Sequence, residues 1–132
     1  MDYFKINGVK YDVSVVAIEE SFNILYSSNT GRTMAKGARM TLDPLGTFFG
    51  HNVTVRRKPG KEKSFDDLYK KISTPTYTGV RVEVAHDQTV IKYDAYISNG
   101  TRQLVRITNK GKLLWGELAI NIVPMEAQVV PE

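Results

Sequence analysis

Residues 80–97 read VRVEVAHDQTVIKYDAYI. Val80, Val82 and Val84 alternate with Arg81 and Glu83, the period of two that sets successive side chains on opposite faces of a strand. His86-Asp87-Gln88 reads as a turn, and residues 90–97 return as the next strand. Downstream, Ser98-Asn99-Gly100-Thr101 and Asn109-Lys110-Gly111-Lys112 are turn signals around Leu104, Val105 and Ile107. Residues 113–123 then form a closing strand with Leu118, Ile120 and Ile122 on one face.

Upstream the same pattern holds with one interruption. Tyr3, Phe4 and Ile6 precede Asn7-Gly8, and Val9, Tyr11 and Val13 follow, which predicts a hairpin on a type I′ turn. Residues 13–18 are apolar and β-branched, and Phe22, Ile24 and Tyr26 mark a further strand. Glu19-Glu20-Ser21 between them predicts a bulge or short turn. Residues 38–42 predict a strand, Asp43-Pro44-Leu45-Gly46 a turn, and Val53 and Val55 another strand ended by Lys58-Pro59-Gly60-Lys61. The exception is Phe65, Leu68, Tyr69 and Ile72, whose spacing predicts an amphipathic helix over about 64–72. Ser64 is its expected N-cap, Asp66 and Asp67 suit its positive end, and Pro75 stops it. The fold expected is mainly β, a sandwich or barrel, with this one flanking helix and a long loop over about 27–43. The 132 residues fit a single domain, with a tail of weak structure from about 124.

Composition narrows the function. With no cysteine there is no disulfide, thiolate nucleophile or Cys-ligated metal. No apolar run approaches the ~20 residues that span a bilayer, and the N-terminus lacks the pattern of a signal peptide. A soluble protein with no membrane role is expected. The net charge of +4 is concentrated in clusters: Arg32, Lys36 and Arg39; Arg56, Arg57, Lys58, Lys61 and Lys63; and Arg102, Arg106, Lys110 and Lys112.

No constellation of catalysis stands out. His51 and His86, the only two histidines, fall in loop-like positions far apart in the chain. Adjacent carboxylates at Asp66-Asp67 and Glu19-Glu20 are explained by helix capping and a solvent-facing turn. Thr30-Gly31-Arg32 and Gly37 lack the Gly-Lys-Ser/Thr end of a phosphate-cradling loop. The protein is therefore expected not to be an enzyme and to need no cofactor or metal. The basic clusters, with Tyr77, Tyr93 and Tyr96, leave a nucleic-acid-binding β-barrel as the alternative. A small hydrolase or carbohydrate-binding β-domain is a third reading.

Four pieces, in order, resemble small structural proteins of tailed bacteriophages and prophages. They are Thr30-Gly31-Arg32-Thr33 with Gly37, Met40 and Asp43; the strand at 52–57; the helix Phe65-Asp66-Asp67-Leu68-Tyr69-Lys70-Lys71-Ile72; and Asp94-Ala95-Tyr96-Ile97 followed by the strand from Trp115. The chain is similar to the tail-tube and distal-tail group, whose members are β-domains with one helix and a long loop. The resemblance implies a tail-tube, distal-tail or baseplate subunit that self-associates into a ring, a hexamer, and contacts neighbouring tail proteins. It would be made in the host cytoplasm and end in the virion tail. In such a ring the loop residues Thr30, Gly31, Arg32, Lys36 and Arg39 are the expected subunit-interface residues.

Overall fold

The computed structural model describes residues 3–32 and 36–132. Thr33, Met34 and Ala35 of the insert lie outside the described residues. The elements in chain order are β1 (Phe4–Ile6), β2 (Val13–Tyr26), β3 (Gly31–Arg32), β4 (Met40–Thr41), β5 (Pro44–Arg57), α1 (Glu62–Ser73), β6 (Val80–His86), β7 (Thr89–Ile107) and β8 (Leu113–Pro124). Six strands form one antiparallel sheet in the order β1-β6-β7-β8-β5-β2, and β3 and β4 form a separate pair. The fold is thus mainly β with one helix, without barrel closure.

The alternation read from residues 80–97 fixes the core. Val80, Val82 and Val84 of β6 pair with Ala95, Tyr93 and Ile91 of β7, and Val82, Val84, Tyr93 and Ala95 are buried. Val53 and Val55 of β5 and Leu118, Ile120 and Ile122 of β8 line the same interior. Over it lies α1, which buries Phe65, Leu68 and Ile72. The helix begins at Glu62 with Lys61 as N-cap and no side-chain cap. Ser64 falls inside the first turn rather than ahead of it, and its Oγ accepts the backbone N–H of Asp12 at 2.8 Å, tying the start of β2 to the helix. Asp66, one turn inside, pairs with Arg102 at 2.9 Å. The helix ends before Pro75, with the Thr74 hydroxyl donating to the Lys70 carbonyl at 2.6 Å.

Three expected breaks are absent. Glu19-Glu20-Ser21 lies inside the continuous β2, and its irregularities fall on either side, between Val15 and Ala17 and between Leu25 and Tyr26. Residues 44–46 belong to β5, and residues 98–101 belong to β7 with only a register shift between Ile97 and Asn99. In each case the neighbouring strand continues to supply hydrogen bonds, and tertiary pairing overrides the local turn preference. At the N-terminus, Asn7 and Gly8 do take positive φ, 52° and 78°. The turn is followed by a single bridge, Ile6 to Val9, because β1 pairs with β6 instead. The segment after β8 runs beside β5: Thr47 bridges to Val129, and the Gln128 side chain makes two hydrogen bonds to the Phe49 backbone, at 3.0 and 3.1 Å.

The sheet curls. In its order three strands separate β6 from β2, yet Glu20 of β2 reaches His86 at the end of β6, at 2.6 Å. A seam of about 380 Å³ remains between β2 and β1–β6, lined by Tyr3, Phe4, Tyr11, Val15, Ile18 and Ala85.

Candidate functional site

Strand β2 is 14 residues long and, among the described residues, pairs only with β5. It stands at the end of the sheet, so one row of its backbone N–H and C=O groups has no ladder partner among the described residues. Only Val13 on it is buried, and Ile18 is partly so. Val15, Val16, Phe22, Ile24, Leu25 and Tyr26 are exposed, Phe22 by 68%. Isolated edge strands are usually short, charged or covered, because a long apolar edge invites pairing with another chain. Here the exposure has a geometric cause. The β5–β8 ladder runs only from His51–Ile122 to Val55–Leu118, so residues 44–50 and their β2 partners extend past it, bordered on the β5 side by the C-terminal segment at Gln128 and Val129. Phe22 lies on the same face as Glu20, which points into the interior, and opposite Phe49. Phe49 packs on His86, with ring centroids 5.0 Å apart, while Phe22 beside it stays largely uncovered.

The insert extends this projection as a hydrogen-bonded hairpin. Gly31 pairs with Thr41 and Arg32 with Met40. Asp43 ties its base: its N–H donates to the Thr30 hydroxyl at 2.9 Å, its C=O accepts from Ser27 N–H at 2.9 Å, and its carboxylate accepts from the Ser27 hydroxyl. Among the expected interface residues, Thr30 and Arg32 are used within the hairpin, the Arg32 guanidinium donating to the Ala38 carbonyl at 3.3 Å. Lys36 and Arg39 are exposed and make no ion pair with any described residue. Gly31 lies in β3. The five therefore share one arm, with the cations near its tip.

A second hairpin projects at the opposite end, since β5 and β8 are antiparallel. There β7 and β8 pair out to Ile107–Leu113, closed by Thr108 N–H to Lys112 C=O at 2.9 Å. Val105, Ile107 and Leu113 are exposed on it. Several of the other cations are occupied. Arg102 sits over the rings of Tyr69 and Trp115, 3.8 and 4.1 Å from their centroids. Arg56 pairs with Glu117 at 2.6 Å, Lys58 with Asp12 at 2.9 Å, and Lys112 with Glu62 at 3.0 Å.

The histidines are not in loops. His51 lies within β5, is 1% exposed, and is a buried polar side chain in an apolar core. Its Nδ1 accepts from the Tyr93 hydroxyl at 2.6 Å, and its Nε2–H donates to Glu20 at 2.9 Å. His86 Nδ1 donates to the same Glu20 oxygen at 2.6 Å. Burial pushes the His51 pKa down, against the pull of Glu20, so the ring is neutral near pH 7. The bond to Glu20 raises that of His86. Burial alone would raise Glu20, but the hydrogen bonds from His86 and His51 outweigh it and the net shift is downward. Burial raises the Tyr93 phenol, which stays protonated.

This chain of bonds joins β2, β5, β7 and β6, with its solvent-reached end at Glu20 and His86. Both ring nitrogens of His51 are occupied and Tyr93 is 5% exposed. Among the described residues no group of three His, Cys, Asp or Glu is placed to hold a metal ion. No described helix is long and apolar enough to cross a membrane. Comparison of the chain with protein-family models gives no match. Comparison with curated proteins gives none either.

Proposed function

We propose that the protein is a non-enzymatic structural subunit that works by associating with copies of itself through β2 and the hairpin arm. The observation that carries this reading is the 14-residue, apolar, two-face-exposed end strand, which continues into a hydrogen-bonded projection. In an assembly the strand gains a ladder partner and its apolar side chains leave water. The two projecting hairpins stand at opposite ends, so a contact that joins one hairpin to the other on a neighbouring copy is head-to-tail, the kind that closes into rings when the rotation permits. Together with the sequence resemblance, this supports a ring-forming component of a phage tail or baseplate, located in the virion.

Native mass spectrometry and negative-stain imaging over a range of subunit concentrations test the reading. Closed oligomers are expected, weakened by Phe22→Lys. A monomer at every concentration, alone and with tail proteins, overturns it.

A further inference from the structure

The end strand has two stretches with different surroundings. Over residues 21–26 its outer edge projects past the sheet and meets nothing from β6. Over residues 13–20 that edge faces β1 and β6 across the seam, whose walls are apolar. Among the described residues no ladder bonds cross the seam, because β1 pairs with β6 and β2 with β5. At the boundary between the two stretches stands Glu20, which crosses to His86.

We propose that the Glu20–His86 bond is a latch that holds β2 against β6, and that its release frees residues 13–20 to pair with a neighbouring subunit. This rests on the self-association reading above and adds its regulation. Residues 21–26 are open at all times and give a neighbour its first foothold. The ladder then extends into the latched stretch only as Glu20 lets go.

The geometry suits a latch rather than a permanent weld. Glu20 is anchored from its own side of the sheet by His51, which the Tyr93 hydroxyl holds in the tautomer that donates. The far side is a single imidazole at the rim, packed on Phe49 with ring centroids 5.0 Å apart. The side chains of Glu20 and His86 are 30% and 22% exposed, so water and protons reach the bond. Among the described residues the charged and titratable groups facing it are Glu20 from β2, His51 from β5, Tyr93 from β7, His86 from β6 and Asp87 from the following turn. Asp87 lies 3.6 Å from His86 Nε2. Protonating Glu20, or taking the charge from His86, weakens the same bond from opposite ends of the pH scale. Loss of a charge-assisted hydrogen bond at a partly exposed site corresponds to roughly a tenfold change in an opening equilibrium.

The test measures amide hydrogen exchange on the full chain, dilute enough to be monomeric, for wild type, His86→Gln and Glu20→Gln at one pH. The inward amides of residues 14–20 are bonded to β5, and their exchange is expected to rise about tenfold in both variants because β2, once released from β6, also frays from β5, with residues 118–122 of β8 unchanged. In parallel, the subunit concentration at the midpoint of oligomer formation is expected to fall in His86→Gln by a similar factor. Unchanged exchange at 14–20 in both variants overturns the latch. Faster exchange with an unmoved midpoint overturns its role in assembly. Failure of wild type and variants to associate at all removes the self-association reading and the gating with it, whatever the exchange shows.

Discussion

Substituting Tyr93 by Phe and His51 by Leu, singly and together, probes the buried core of the site. Tyr93→Phe keeps the ring and deletes the hydroxyl that donates to His51 Nδ1 at 2.6 Å. It leaves a ring nitrogen without a donor in a residue 1% exposed, at a cost of about 1–2 kcal/mol. His51→Leu removes the acceptor of a phenol in a residue 5% exposed and one of the two donors to Glu20, costing about 2–3 kcal/mol. The double variant has neither orphan. Its cost is expected to be close to that of His51→Leu alone, a coupling of about 1–2 kcal/mol between the two sites. For a chain of this length each kcal/mol moves Tm by roughly 4 °C. Urea and thermal unfolding, at one subunit concentration low enough to keep all forms monomeric, measure the four corners of the cycle. Costs that add to within about 0.3 kcal/mol refute the hydrogen-bonded pair.

Stability is expected to peak near pH 6.5–7, by urea unfolding across pH. Glu20, lowered from 4.5, contributes stability that is complete above that value and lost as pH falls through its folded pKa. His51, lowered from 6.5, adds a loss below 6.5 because the folded state resists charging it, and His51→Leu removes that part of the acid slope. His86, raised from 6.5, contributes stability that is complete below 6.5 and lost as pH rises through its folded pKa, so His86→Gln flattens the alkaline side. Gly79→Ala drives a Cβ into the Ala95 carbonyl oxygen at a φ of +74°, and a loss of about 2–4 kcal/mol is expected on denaturation. Arg102→Ala removes the cation stacked on Tyr69 and Trp115 and paired with Asp66, with an expected loss of about 1–2 kcal/mol and a shift in Trp115 fluorescence.

Strand identity was legible where alternation met burial. The valines of 80–84 and the run Leu118, Ile120, Ile122 predict the interior face that the structure shows. Strand length was not. Glu19-Glu20-Ser21 and Ser98-Asn99-Gly100-Thr101 carry turn residues, but their ladders persist, and ladder partners are set by residues distant in the chain. Ser64 had the chemistry of an N-cap, and nothing local announces that Asp12 takes its hydroxyl. The histidine cluster was missed for a similar reason. One signal was present: His51 shares the parity of Val53 and Val55, which places it on the interior face and asks for a polar partner there. That the partner is Glu20, and that His86 shares it, follows from pairing register and curl. In the insert the basic residues were visible, while the role of Asp43 in tying the hairpin base depends on Ser27 and Thr30 lying opposite it.

The central claim is that β2 is an assembly edge. Sedimentation velocity of wild type beside Phe22→Lys, from about 1 to 100 μM, bears on it most directly. Phe22 is 68% exposed, and covering its ring contributes about 2 kcal/mol per contact, or roughly thirtyfold in each association constant. The account predicts a discrete oligomer for wild type that dissociates with dilution, and a variant that folds equally well but stays monomeric at concentrations where wild type assembles. Identical sedimentation of the two, whether both remain monomers or both assemble, contradicts it.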